Sequence, residues 1–518
     1  MNKPLITIIV IVLIIAGMGA NSFFKTPTFA QLSQIQPSGK NIGQDSPFGA
    51  HGAISRPYIE SDKVSHQEIL RRTSEVKDLY GHVQDIGIKW IRPGADIYWR
   101  AVQPTLKYVK NGLFDWGSID NLYGRVPLGV NILGTIDPLL WAVNRDPAFK
   151  PGTWRFASGE EERYYIKFVK EVVERYDGDG HKDMPGLKNP IKYWQIGNEQ
   201  ALRPLIGSGD VNKSPDWKGF SHIMEISNKA IKDSDPSAKI ALGGLASGYP
   251  RPNDPIARFM DTPPEIRERE EFYIPLLKHL KGKYINIFDI HYYGSLQETG
   301  PEGWRWVYMK DTYAYIRRKL DANGYQNTEI WFTETAVPSQ PLGERFQAIN
   351  LVKRFVYPLS FGVKKIFWWN MIEGEYPLER NKPSNHFGLI YDGIGEDDPG
   401  YGTKKLSYYT YKKMVEVLEG SDWNNIETIR ESKGIYIYKF IKDNKPIYVA
   451  WDDNKKEKQV TISGIHSIKV RIIDTVPGYE SGKYVTDYNA AFNTKIKSVR
   501  NGKITLILGE IPVYVESI

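Results

Sequence analysis

Residues 191–200, IKYWQIGNEQ, decide how the chain is read. Nearly every side chain from Ile191 to Ile196 is β-branched, aromatic or otherwise suited to a buried strand. The run breaks at Gly197 and ends in an amide and a carboxylate, Asn198 and Glu199. A charge placed where a strand leaves the core is either solvated or reactive, and the rest of the chain has to decide between the two.

Outward from this strand a rhythm of strand, loop and helix extends in both directions. Before it come PFGAHGA (47–53), IKWIRPG (88–94) and VPLGVNILGTID (126–137). After it come AKIALGGLAS (238–247), INIFDIHYYG (285–294), EIWFTETAV (329–337) and KKIFWWNMI (364–372), eight strands with IKYWQIGNE. Helical periods lie between them. Val76, Leu79, Val83 and Ile86 recur at three- and four-residue steps before a stop at Gly87; Ile166, Val169, Val172 and Tyr176, then Ala348, Leu351, Val352 and Phe355, repeat the pattern. Strands so continuously apolar belong to a parallel sheet covered by helices. Eight such units predict a closed (β/α)8 TIM barrel over 47–420. The rival, an open doubly wound sheet, lacks a Gly-rich dinucleotide fingerprint after any strand.

Beyond residue 420 the texture changes. GIYIYKFI, KPIYVAWDD, KQVTISGI, SIKVRIID, GKITLILG and IPVYVESI are short strands with Asn, Gly and Asp turns between them. They predict a C-terminal all-β sandwich domain over 421–518, with KKLSYYTYKKMVEVLEG (404–420) as the last barrel helix. At the other end, Lys3, an apolar run from Leu5 to Ala16 and the small residues of TPTFA (26–30) resemble a secretory signal peptide over 1–30. An uncleaved membrane anchor is the lesser reading, because the run is short for a span. Residues 31–46 read as a polar linker. The expected location is therefore secreted or extracytoplasmic.

Composition narrows the partners. The net charge of +7 is spread among acids rather than gathered in a block, which argues against nucleic acid. With no Cys, neither disulfides nor thiolate metal sites operate, and nine scattered His form no zinc motif. GEDDPGYG (395–402) reads as a solvated acidic loop before a calcium site. No phosphate-cradling loop or nucleophile elbow is present, so no cofactor is expected. The 14 Trp and 32 Tyr suit a site that stacks on flat ligand faces, although many such rings are core.

In this fold the reactive groups sit at the C-terminal ends of the strands. Strand two ends on Arg92, strand three on Asp137 and strand four on Asn198 and Glu199. Strand six ends on His291, Tyr292 and Tyr293, strand seven on Glu334, and strand eight on Trp368, Trp369 and Asn370. Two carboxylates on facing arcs of one rim are what a retaining glycosidase uses, at a separation of about 5 Å, as acid/base and nucleophile. Arg92 and a tyrosine from strand six are the expected donors to Glu334, and Asn198 the expected holder of a sugar hydroxyl. Each has a plainer reading. Strand-end acids commonly cap helices, His291 and Tyr293 could be satisfied polar residues beneath the rim, and Arg92 could pair with Asp96. Trp194 and Trp331 read as core, whereas Trp99, Trp141, Trp304 and Trp306 read as loop rings available for stacking.

IGNE ending strand four, the Glu of WFTET ending strand seven, HYY on strand six and WW on strand eight together resemble clan A of the glycoside hydrolases. The likeness runs over the barrel and into the trailing β-domain with its GEIPVYVE ending, and is nearest in look to families 39 and 5. The resemblance implies a retaining O-glycosyl hydrolase acting on a β-linked glycan or glycoside. It makes Glu199 the acid/base, Glu334 the nucleophile, and Asn198, Arg92, His291, Tyr293 and Trp368 or Trp369 the substrate-binding set. The sequence departs from the cellulase-like pattern in offering Asp137 where strand three often ends in histidine, and Gln200 where proline often follows the acid/base. A non-hydrolytic carbohydrate-binding protein and a transglycosylase are the alternatives on the same fold.

Overall fold

The eight expected strands form one sheet that closes on itself. In the computed structural model they are β1 (Phe48–His51), β2 (Trp90–Arg92), β3 (Asn131–Asp137), β4 (Tyr193–Ile196), β5 (Lys239–Ser247), β6 (Ile287–Tyr292), β7 (Glu329–Thr335) and β8 (Ile366–Trp369). All neighbours pair in parallel, and β1 joins both β8 and β2, which completes the barrel. The structure describes residues 43–55, 77–94, 96–138, 156–201, 216–247, 267–294, 309–373, 386–393, 398–454 and 457–518. The leader and most of the linker lie outside these, as do Val76, Trp141, Trp304 and Trp306. Among the described residues no helix is long and apolar enough to cross a membrane.

Period-two alternation sorts the strand residues. Trp90, Leu133, Ala241, Ile287, Trp331 and Phe367, with Tyr193 against them, fill the barrel interior as one buried cluster. Their neighbours face outward onto helices α1 (Tyr80–Ile86), α2 (Glu160–Tyr176), α3 (Trp217–Ser234), α4 (Ile274–Leu280), α5 (Met309–Ala322), α6 (Glu344–Ser360) and α7 (Leu406–Leu418). The expected periods fall on α1, α2 and α6. Val169, Val172 and Tyr176 are buried on α2, as are Ala348, Leu351, Val352 and Phe355 on α6. Each large side chain so buried contributes roughly 1.5–3 kcal/mol. Trp194 and Trp331 are core as expected. Trp99 is also core, contrary to expectation. It opens a short helix, Trp99–Val102, lies 2% exposed, and stacks on Phe168 with ring centroids 5.6 Å apart.

After α7 the chain forms eight strands, β9 (Glu427–Ser432), β10 (Ile435–Lys442), β11 (Lys445–Asp452), β12 (Lys458–Ser463), β13 (Lys469–Asp474), β14 (Thr494–Ser498), β15 (Lys503–Leu508) and β16 (Val513–Ser517). Six make an antiparallel sheet in the order β9-β10-β11-β16-β13-β14, and β12 pairs with β15 as a second layer. Ile435, Ile437, Tyr448, Ala450 and Val515 face that layer, while Tyr436, Tyr438, Val449, Trp451 and Tyr514 face the barrel. Both faces of the central strands are therefore covered, which is why β10 and β11 read as nearly continuous apolar runs. Polar contacts cross as well. The carboxylate of Glu344, in the first turn of α6, accepts from Leu406 N at 2.7 Å, Tyr391 Oη at 2.9 Å, Ser481 Oγ at 2.6 Å and Gly482 N at 2.8 Å.

Candidate active site

The register of the barrel gathers the chemistry at one end. His51 on β1 pairs across with Arg92 on β2 and with Trp369 on β8, while His291 on β6 pairs with Glu334 on β7 and Ala246 on β5. Asp289, His291 and Tyr293 follow one another at two-residue steps, so all three point inward. On β7 simple alternation would turn Glu334 outward, since Trp331 and Thr333 already face in. The pairing with both neighbours shifts there, between Trp331 and Glu334 toward β6 and between Phe332 and Thr335 toward β8. Such a bulge brings two consecutive residues to one face and re-aims the second.

Strand four uses a different device. Gly197 has φ +76° and Glu199 φ +50°, so the chain turns twice through the left-handed region just past the strand end. The turn presents Asn198 and Glu199 to the rim. Space for the neighbouring imidazole comes from Gly244 on β5, where an added Cβ would lie 2.2 Å from His291 Nε2.

Arg92 is the hub. It is 2% exposed, donates to Glu334 Oε1 at 2.7 Å, to Asn198 Oδ1 at 2.8 Å and to Thr135 Oγ1 at 3.3 Å. Asp96, the alternative partner, is 3.9 Å away. Burial alone would lower its pKa, but the carboxylates of Glu334, Asp96 and Asp289 outweigh this and hold it above the usual arginine value. Tyr293 Oη supplies the second donor to Glu334, reaching Oε2 at 2.8 Å.

His291 lies between the two glutamates, with Nδ1 2.7 Å from Glu199 Oε1 and 3.4 Å from Glu334 Oε2. Its Nε2 meets Asp289 Oδ2 at 3.1 Å, and Asp289 is itself tied to Thr333 N and Oγ1 at 3.0 and 2.6 Å. Burial disfavours the imidazolium, yet the charges of Glu334 and Asp289 outweigh it and hold the pKa well above the usual histidine value. His51 behaves oppositely. Burial, then Arg92 and His291, push its pKa well down, so its Nε2, 4.0 Å from Glu334 Oε1, belongs to a neutral ring rather than an ion pair.

Burial pushes the Glu334 carboxyl up. His291 and Arg92 pull it back, the charge of Glu199 pushes up again, and the bond from Tyr293 pulls down; the net direction is upward. The ionised form thus depends on its donors. Oxygens of Glu199 and Glu334 and a nitrogen of His291 all lie within 4.8 Å of one another. That triad has the spacing of a metal site, but a charged imidazole and guanidinium already fill the cationic positions beside it.

Of the two tryptophans on β8, only one borders the site. Phe367 belongs to the barrel interior, so alternation turns Trp368 outward; it is fully buried and donates to Phe387 O at 3.0 Å. Trp368 is therefore core, correcting its place among the binding residues. Trp369 is half-buried and packs on Phe387, Tyr293 and His51, with centroids 5.5, 6.2 and 6.4 Å apart. Three residues of the site escaped the sequence reading: His51, Asp289 and Thr333. The first was visible at the end of FGAH on strand one, and the second two residues before His291.

The barrel, its sandwich and this rim define a class of structure, and comparison places it. No protein-family model matches the sequence, and no curated protein does either. Among solved structures, a family 39 glycoside hydrolase from the gut symbiont Bacteroides cellulosilyticus superposes with a TM-score of 0.60 at 15% identity, covering 91% of this chain and 81% of its own. A glucosidase from Croceicoccus marinus matches at 0.53 and 13% identity, over 90% and 95% of the two chains. A GH30 endoxylanase from Clostridium papyrosolvens matches at 0.51 and 13%, over 91% and 96%. The likeness establishes the fold, a (β/α)8 barrel followed by a β-sandwich.

Proposed function

We propose that the protein is a retaining glycoside hydrolase acting on a β-linked glycan or glycoside. The observation that carries this reading is the approach of Glu199 and Glu334 oxygens to within 4.8 Å across the barrel rim. Retaining enzymes hold their carboxyl groups about 5–5.5 Å apart, whereas inverting enzymes need about 6.5–9.5 Å to admit water. The neighbours named as a glucosidase and an endoxylanase favour a glycosidic substrate over other barrel chemistries.

In this reading Glu334, oriented by Arg92 and Tyr293, attacks the anomeric carbon. The bond to the leaving oxygen breaks as Glu199 gives that oxygen its proton, leaving a glycosyl ester on Glu334. Glu199 then takes a proton from water, the hydroxide adds to the anomeric carbon, and the ester bond to Glu334 breaks. The 2.7 Å contact between His291 and Glu199 gives the acid a partner with which to exchange its proton. Asn198, fixed by Arg92, faces the sugar, and Trp369 offers the half-buried platform beneath it.

The test is turnover of aryl β-glycosides with NMR detection of the first-formed anomer. Retention of configuration is expected, with Glu334→Gln lowering kcat by about 10⁴-fold or more while circular dichroism shows the fold retained. An inverted first product, or turnover undiminished in Glu334→Gln, would refute the assignment. The leader-like residues 1–30 support action outside the cytoplasm. N-terminal sequencing of the mature chain checks this, with a start after Ala30 expected for a secreted protein and a retained Lys3 for an anchored one.

A further inference from the structure

On the face of the barrel opposite the glutamates, the chain between α2 and β4 runs as Asp177, Gly178, Asp179, Gly180, His181, Lys182 and Asp183. Asp177, Asp179 and Asp183 each bring a carboxylate oxygen within 4.8 Å of the other two. The loop's own amides hold them there. Asp183 accepts from Gly178 N at 3.0 Å and Gly180 N at 2.8 Å, and Asp179 accepts from His181 N at 2.7 Å. Acidic turns of this sort are common, and Asp179 is exposed. The observation that separates this one from them is Asp177. It is 1% exposed, and among the described residues its carboxylate accepts one hydrogen bond, from Asp179 N to Oδ1 at 3.2 Å, and none at Oδ2.

A buried carboxylate facing two others has a cost that a cation removes. Three of the side-chain cations nearby are engaged elsewhere, while Lys182 lines the same cavity as Asp183. Arg175 pairs with Asp120, His181 with Glu174, and Lys192 with Asp235 at 2.9 Å. None of the three aspartates is in an ion pair among the described residues. A cavity of about 310 Å³, lined by Trp116, Glu171, Glu174, Arg175, Lys182 and Asp183, lies beside them.

We propose that Asp177, Asp179 and Asp183 form a binding site for a hard divalent cation, calcium by its oxygen-only donor set. Calcium takes carboxylate and carbonyl oxygens in flexible loop geometry, while softer metals would call for nitrogen or sulfur ligands. Bound there, the ion fixes the turn by which the chain leaves α2 on its way to β4, the strand whose far end carries Asn198 and Glu199. The site is independent of the glycosidase assignment, and its readout is stability rather than turnover.

The test is thermal unfolding of the full chain after treatment with EDTA, then with added calcium chloride, for the wild type and for Asp179→Asn. The variant keeps the acceptor for His181 N and removes one charge from an exposed position, so it folds. A ligand at 100 times its Kd shifts the folding equilibrium about 100-fold. The wild type should therefore gain a saturable rise in Tm of a few degrees that Asp179→Asn loses. The same saturation should appear as terbium luminescence sensitised by nearby tryptophan, displaced by calcium. An unchanged wild-type Tm in calcium overturns the proposal, and so does an equal rise in the variant.

Discussion

Replacing Tyr293 by phenylalanine isolates the electrostatics of the nucleophile. The phenol donates to Glu334 Oε2 at 2.8 Å, and its ring packs on Phe387 and Trp369 with centroids 5.6 and 6.2 Å apart. Phenylalanine keeps the ring contacts and removes only the donor. A hydrogen bond to a buried charge is worth about 1.5–3 kcal/mol, which corresponds to roughly 1–2 pKa units. Tyr293 pulls the Glu334 carboxyl down, so its loss moves that pKa further up. The ionised nucleophile is then lost at higher pH. The acid limb of kcat/KM should move up by about 1–2 pH units, with activity below the limb falling about 10- to 100-fold. Stability carries the same sign. A carboxyl whose folded pKa is raised contributes stability below its unfolded pKa and loses it as pH rises through the folded value. The Tm deficit of Tyr293→Phe relative to wild type should therefore be larger at pH 8 than at pH 4. An acid limb that stays in place, with a Tm deficit independent of pH, would show that Tyr293 does not hold the charge on Glu334.

Two other substitutions probe how the site is supported. Gly244→Ala places a methyl group 2.2 Å from His291 Nε2, so it should lower stability by about 1–3 kcal/mol and cut kcat as the imidazole leaves Glu199, seen as a lower Tm and a lower aryl-glycoside rate. Lys405→Met removes the buried partner of Glu373, beside Ser339 and the His386 carbonyl, and should cost about 3–5 kcal/mol by calorimetry. Adding Glu373→Leu removes the stranded charge and should restore much of the loss, whereas no restoration would deny the ion pair that role.

The barrel was legible because a parallel sheet covered on both faces must be apolar almost throughout, and each of the eight runs met that demand. Asp289, His291 and Tyr293 share a face by alternation alone, and Arg92 and Glu199 stand at strand ends where the break in apolarity marks them. Glu334 was found for its position in the strand order, although its side chain reaches the site only through a bulge that no local pattern announces. Trp99 misled because a ring after a strand looks exposed until α2 is placed against it. The choice between Trp368 and Trp369 needed the register of β8. In the sandwich, β9 and β14 went unread because they lie at the sheet edges, where exposed Glu, Lys and Ser leave little apolar signal.

The four bonds converging on Glu344 bear on how this molecule could be divided. Its carboxylate is fed from the start of α7, from the chain after β8 and from the Ser481–Gly482 turn. Amputating the C-terminal strands would strip two donors from a buried anion and bare the barrel surface around Tyr357 that the aromatic row from Tyr436 to Trp451 covers. Grafting a foreign module in their place would have to reproduce both. The sandwich is thus better regarded as a buttress of the barrel than as detachable cargo, and swaps intended to change what the protein grips belong in the loops above the strands.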